Sequence, residues 1–171
     1  YIDSEVWNES SNKWESYVKN TGANLGYNLK FDSVNEDYLE LENTITCSIN
    51  KPLVFSFYLP SIGSQFDVCA ESDSASDSRI TVVDDGAVLV QCQNLAVRQT
   101  GLFLIEGYNT IKLTYNGVDN DVEINGQQAN LSTQTLPFKI LRVAKRGSFY
   151  GDFTLKNISI NDEQFNLSES Y

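Results

Sequence analysis

Histidine and methionine are both absent from this 171-residue chain, and proline occurs only three times. Without histidine there is no Ser-His-Asp or Cys-His nucleophile, and the usual zinc sites lose their commonest ligand. Without methionine, and with Tyr1 as its first residue, the chain reads as a fragment of a longer protein or a processed form. No apolar run approaches the roughly eighteen residues of a membrane helix, so no membrane insertion is expected. Basic residues are scarce as well: 12 Lys and Arg stand against 23 Asp and Glu, for a formal net charge of −11. Nucleic-acid binding rests on neutralising phosphates, and no Lys/Arg cluster of suitable size is present, so no nucleic-acid partner is expected. Cysteine is too sparse for a disulfide framework, because Cys47, Cys69 and Cys92 make an odd count without C-x-x-C spacing. Cys47 shares parity with Leu39, Leu41 and Ile45, and Cys92 with Val88 and Val90. Free core thiols are therefore expected, with a Cys69–Cys92 bridge as the competing arrangement.

What is present is alternation. In the stretch IKLTYNGVDNDVEINGQ, Ile111, Leu113 and Tyr115 share one parity and Lys112 and Thr114 the other, the period-two pattern of a half-buried strand. Val122 and Ile124 repeat it after Asn116-Gly117, which predicts a hairpin over a loop of about five residues. Asn125-Gly126 then turns the chain again. Similar runs recur along the chain, including YLELENTITCS from Tyr38, LVFSFYL from Leu53, AVLVQC from Ala87 and GLFLIE from Gly101, with turn signals between them. Only residues 8–19 suggest a short turn of helix, in a Ser/Asn-rich setting. Ten or more short strands without intervening helices predict an all-β, antiparallel sandwich. One slip of parity stands out: Phe153 and Leu155 point one way, Ile158 and Ile160 the other, which predicts a β-bulge near Lys156-Asn157. Composition marks no second domain, so residues 27–171 are expected to form a single sandwich, with residues 1–26 packing on it or leading into it.

The segment NTIKLTYNGVDNDVEINGQ, followed some twenty residues later by FYGDFTLKNISIND, resembles the closing pattern of concanavalin A-like lectin/glucanase jelly rolls of laminin G type. Phe149, Gly151 and Phe153 stand at the places of that family's Phe-x-Gly-x-Ile-like returning strand, which implies core positions. YLELENTITCSINKPLVFSFYLP is similar to the family's early strands. The final FNLSES is similar to a segment that follows such modules in phage tail and fibre proteins and in bacterial glycan-binding proteins. The resemblance implies a concanavalin A-like jelly roll; function has to be argued from the site.

The family's glucanases work with Glu-x-Asp-x-x-Glu on one strand, and the nearest match here is ESDSAS, where Ser76 stands in the second glutamate's place. No catalytic residues are expected. Two constellations suit binding. Asp119 and Asp121 at the hairpin tip, and Asp73, Asp77, Asp84 and Asp85 upstream, offer oxygen ligands, so calcium is the one cofactor considered and none is otherwise expected. Solvated turn acids are the competing reading. Among the aromatics Trp7, Trp14, Tyr58, Tyr108, Tyr115 and Tyr150, sugar C–H faces could stack on exposed rings. Tyr58 opposes the parity of Phe55, Phe57 and Leu59, so it is expected on an outer or concave face, joined by Glu40 or Glu42 and by Tyr108. The favoured function is a non-catalytic carbohydrate-recognition or adhesion module, its partner a polysaccharide or cell-surface glycan. Its expected location is extracellular, at a cell surface or on a virion. The alternative is a structural or decorating domain of a phage appendage that binds no sugar. Any homo-oligomerisation would come through the parent protein.

Overall fold

A computed structural model describes residues 28–165 with their side chains, and the backbone alone of residues 5–8, 13–16, 19–20 and 166. In chain order the strands are β1 (Glu5–Asn8), β2 (Lys13–Ser16), β3 (Lys19–Asn20), β4 (Leu29–Phe31), β5 (Leu39–Thr46), β6 (Leu53–Leu59), β7 (Phe66–Ala70), β8 (Arg79–Val82), β9 (Ala87–Gln91), β10 (Arg98–Phe103), β11 (Gly107–Tyr115), β12 (Asn120–Ile124), β13 (Gln127–Leu131), β14 (Lys139–Val143), β15 (Lys145–Arg146), β16 (Phe149–Tyr150), β17 (Phe153–Ile160) and β18 (Glu163–Asn166). They form two main antiparallel sheets. One has six strands in the order β10-β9-β8-β7-β14-β5. The other has eight, in the order β13-β12-β11-β6-β17-β18-β3, with β4 also paired to β17. There is no helix among the described residues. The helical turn expected within residues 8–19 is not found where the chain is described: β2 pairs with β1 and sets Trp7 opposite Trp14 in register. The rest of that stretch lies outside the described residues.

The alternation works as a binary code for the sandwich. On β6, Leu53, Phe55, Phe57 and Leu59 are buried while Val54, Ser56 and Tyr58 turn outward. Ile111 and Leu113 on β11 and Val122 and Ile124 on β12 extend the same inner face. The other sheet meets them with Val68, Ile80, Val82, Val88, Val90, Ile140 and Val143 in one apolar cluster. Packing of two such inner faces is what makes a sandwich cohere. Leu113→Ala should accordingly cost about 2–5 kcal/mol in urea unfolding, as large-to-small core changes do, whereas Lys112→Ala on the exposed parity should leave the transition unchanged.

The central hairpin is tighter than its sequence suggests. Asn120 pairs with Tyr115, so the loop is Asn116–Asp119 rather than about five residues. Asn116 Oδ1 accepts from the N–H groups of Val118 (2.8 Å) and Asp119 (2.9 Å), and Gly117 takes the positive φ of 95°. Asn120 is held in the ladder because its buried amide donates to the carbonyls of Gln134 (2.7 Å) and Leu136 (2.8 Å). The second turn is a two-residue one: Asn125 (φ 52°) and Gly126 (φ 84°) connect the pair Ile124–Gln127.

The bulge sits where the parity slips. Leu155 pairs with Phe57 but Asn157 with Ser56, which makes Lys156 the extra residue of the bulge and returns Ile158 and Ile160 to the core. Phe153 and Gly151 occupy buried positions as the resemblance implies, but Phe149 does not. It is 36% exposed, because it lies on the short ribbon β15-β16, which packs outside β7 rather than in the sandwich. That ribbon helps to bury β7 throughout: Asp67, outside the apolar cluster, meets Arg146 of the ribbon. The three cysteines are free and buried, with no Cys69–Cys92 bridge. Burial pushes the thiols of Cys47 and Cys92 up to about 12, and that of Cys69 well above its usual range, so they serve as small core residues.

Candidate functional site

Tyr58 and Tyr108 come together on the outer face of the eight-stranded sheet. They are directly opposite in the β6–β11 ladder, 40% and 67% exposed, with ring centroids 5.2 Å apart at 71°. This edge-to-face arrangement lets each ring hold the other in place. Their orientation follows from the strand parity and from Asn109, the inward neighbour of Tyr108. Asn109 Oδ1 accepts from the N–H of Ile105 (2.9 Å) and from Asn125 Nδ2 (2.9 Å), and its Nδ2 donates to the Ile105 carbonyl (2.7 Å). The start of β11 is thereby tied to the turn at Asn125.

Cross-strand register extends the pair into a row. Lys30 on β4 opposes Thr154 on β17, Thr154 opposes Tyr58, and Tyr58 opposes Tyr108. Three inter-strand steps make a strip of roughly 14 Å. Beside it runs a second row of Asn157, Ser56 and Thr110, rich in hydroxyl and amide groups. The bulge sets Lys156 and Asn157 together on this face, and Lys156 Nζ stands 5.7 Å from the Tyr108 ring centroid. At the Lys30–Thr154 end the strip opens into a cleft of about 160 Å³, also lined by Asp32, Asp152 and Pro60. Both carboxylates there are committed: Asp152 accepts from the Ser33 N–H (2.6 Å) and hydroxyl (2.7 Å), and Asp32 from the Val34 N–H (2.9 Å). The combination of open rings and flanking hydrogen-bonding groups suits a ligand with one apolar face and several hydroxyls.

Glu40 and Glu42 are not part of this strip. They project from β5, at the edge of the other sheet, and so lie on the opposite outer face. Alternation correctly turned them outward, but parity within one strand does not say which sheet the strand joins. Glu40 is instead cross-strand from Arg142 and bonded to it, Nε to Oε1 at 2.9 Å. Arg142 also donates to Asp73, which accepts from the Gly147 N–H at 2.9 Å and stands 3.5 Å from Lys145 Nζ. The Gly147 N–H above all, with Arg142 and Lys145, holds the Asp73 carboxyl below its usual range. Deeper under the ribbon, Asp67 accepts from the Thr81 hydroxyl and pairs with Arg146 Nε at 3.2 Å. Burial nevertheless pushes the Asp67 carboxyl above its usual range, against the pull of Thr81, Arg146 and Arg79.

Asp119 and Asp121 are adjacent in space, but the Asn130 amide nitrogen lies between them and donates to both, at 3.1 and 2.8 Å. Asp119 also accepts from Asn116 Nδ2 at 2.9 Å. Calcium needs converging oxygen ligands where these carboxylates meet N–H donors. No group of three or more acidic, histidine or cysteine side chains converges on a metal position among the described residues. As placed, the pair does not fit calcium. The remaining aromatics disperse: Tyr115 is partly buried with its hydroxyl 3.4 Å from the Thr135 carbonyl, Tyr150 packs near Tyr38, and the Trp7 and Trp14 side chains lie outside the described residues.

No protein-family model and no curated protein matches the chain by sequence. Solved structures match by shape. The LG1-3 region of the laminin alpha2 chain superposes with a TM-score of 0.57 at 15% identity, over 84% of this chain and 30% of that one. The heptameric SAP-like pentraxin of Limulus polyphemus gives 0.52 at 11% identity, over 74% and 70%. The Trypanosoma rangeli sialidase gives 0.52 at 15% identity, over 68% of this chain but only 21% of its own length. The chain thus has the concanavalin A-like jelly-roll fold, a lectin-like β-sandwich.

Proposed function

We propose that this chain is a non-catalytic carbohydrate-recognition module that holds a polysaccharide along the outer face of its eight-stranded sheet. The observation that carries this reading is the exposed Tyr58–Tyr108 pair in register with Thr154 and Lys30. Stacking on the rings would take the apolar sugar faces while Thr154, Ser56, Thr110 and Asn157 take hydroxyls. Residues 27–171 would form the module, working outside the cell or on a cell or virion surface. Most glycosidases, sialidases with a tyrosine nucleophile apart, work with two facing carboxylates free to act as acid and base or nucleophile. Here Asp32 and Asp152 are engaged with Ser33 and Val34, and the Glu71–Asp73 match is spent on Ser78, Arg142 and Lys145.

A shallow strip desolvates few ligand atoms, so binding should be weak, about micromolar to millimolar. Affinity electrophoresis against a panel of bacterial and plant polysaccharides should show retardation by at least one of them. Tyr58→Ala should weaken that retardation at least about tenfold, equivalent to about 1.4 kcal/mol, with an unchanged melting temperature. Lack of retardation across the panel, together with stable trimers by light scattering, would support a structural domain of a virion appendage instead. Hydrolysis of any panel glycan would overturn both readings.

A further inference from the structure

We propose that the outer face of the six-stranded sheet, opposite the tyrosine strip, carries an oxyanion-binding subsite in which Arg79 and Arg146 hold a carboxylate or sulfate group. One register row crosses this face through Glu40, Arg142, Ala70, Arg79 and Gln91. Around it stand four cations, Arg79, Arg142, Lys145 and Arg146, against three carboxylates, Glu40, Asp67 and Asp73. Among the described residues every cation but Arg79 has an ion pair: Arg142 with Glu40 and Asp73, Lys145 with the same Asp73, and Arg146 with Asp67. Arg79 is half-buried and, among the described residues, its hydrogen bonds go to neutral groups, Nε to Gln91 Oε1 at 3.0 Å and Nη1 to the Thr81 hydroxyl at 3.5 Å. The acids of the preceding loop do not serve it, because Glu71 accepts from the Ser78 N–H (3.1 Å) and Asp77 from the Ser72 hydroxyl (2.5 Å).

The result is two guanidinium groups sharing a single buried carboxylate, with one positive charge in excess. Burial first and Arg146 second pull the Arg79 pKa down, and Asp67 offsets them only in part. Among the described residues Arg79 bonds through Nε and Nη1, which leaves Nη2 as its open donor, while Arg146 bonds through Nε and has a side chain only 8% exposed. The Arg146 guanidinium carbon lies 5.0 Å from the centroid of the Phe149 ring, which fixes its plane from one side. Planar guanidinium forks match the paired oxygens of carboxylates and sulfates, and a small side chain, Ala70, separates Arg79 from Arg142 in the row. The chain as a whole carries −11 and repels anions at long range, so attraction here depends on these short-range donors. This subsite does not depend on the tyrosine strip.

The test is an NMR titration of the folded chain at low ionic strength with sodium galacturonate and, separately, with sodium sulfate, using galactose and sodium chloride as controls. The Arg79 Nε–Hε resonance should shift saturably with galacturonate, with sulfate or with both, and stay unmoved by the controls. Response to galacturonate alone assigns a sugar carboxylate, and response to sulfate alone a sulfate group. Arg79→Gln should weaken binding at least about tenfold. Arg79→Lys, which keeps the charge but not the fork, should be intermediate and serves if the glutamine variant does not fold. Tyr58→Ala should leave this titration unchanged even if it abolishes polysaccharide retardation. Absence of any saturable shift with either anion, or wild-type affinity in both Arg79 variants, would overturn the proposal and leave the arginines as ties for the ribbon.

Discussion

Phe153→Ala is expected to destabilise the sandwich by about 3–5 kcal/mol, the range for deleting a buried aromatic ring. Phe153 stands among Phe31, Phe57 and Phe66, with ring centroids at 5.1, 5.2 and 5.8 Å. It touches elements of both sheets, since Phe31 and Phe57 belong to one and Phe66 to the other. The backbone has made way for it as well: a Cβ at Gly151 would lie 2.5 Å from the Phe153 ring. Truncation therefore opens a void that the three surrounding rings cannot close together. For a domain of this size the loss corresponds to a fall in melting temperature of roughly 6–20 °C. Phe149→Ala, four residues earlier on the exposed ribbon, should fall within about 0.5 kcal/mol of the wild type. A comparable loss from both substitutions would show that the ribbon, not the inter-sheet aromatic cluster, carries the stability.

Asp67→Ala should cost about 3–5 kcal/mol for a different reason. The carboxylate is 0% exposed and its partner Arg146 has a side chain only 8% exposed. Deleting Asp67 leaves Arg146 buried without a counter-charge and close to the second guanidinium of Arg79. The pair itself is expected to add little net stability, because taking both charges out of water offsets their attraction, in line with the upward push that burial gives the Asp67 carboxyl. Replacing both members with apolar residues, Asp67→Leu with Arg146→Met, should recover most of the loss. Urea unfolding of the two single variants and the double variant measures this directly. A double variant as unstable as Asp67→Ala would mean that the pair makes a larger net contribution than its burial allows.

Both expectations turn on features of unequal visibility in the sequence. The hairpin, the Asn125-Gly126 turn, the bulge at Lys156 and the outward aim of Tyr58 were all legible, because period-two alternation and turn chemistry are local properties. What alternation cannot encode is which strands become neighbours. Glu40 and Glu42 have the outward parity expected of them, yet β5 joins the sheet that Tyr58 is not in. Thr154, Lys30 and Lys156 complete the tyrosine strip only through the pairing of β17 with β6 and β4, about a hundred residues apart in sequence for β6. The hairpin loop is shorter than the expected five or so residues because the carbonyls of Gln134 and Leu136, far along the chain, give the Asn120 amide buried partners. Phe149 has the residue type of a core position, but the two-residue strand that carries it folds outside β7. The row through Arg142, Ala70 and Arg79 joins three separate strands and leaves no local mark at all.

The central claim is that a glycan is held on the Tyr58–Tyr108 strip, and backbone-amide NMR during titration with a retarding polysaccharide tests it most directly. Progressive shift changes should concentrate at Tyr58, Tyr108, Thr110, Thr154 and Asn157, on the outer faces of β6, β11 and β17, with the polysaccharide recovered intact. Changes confined to the six-stranded sheet, or spread evenly without concentration at the two tyrosines, would contradict it.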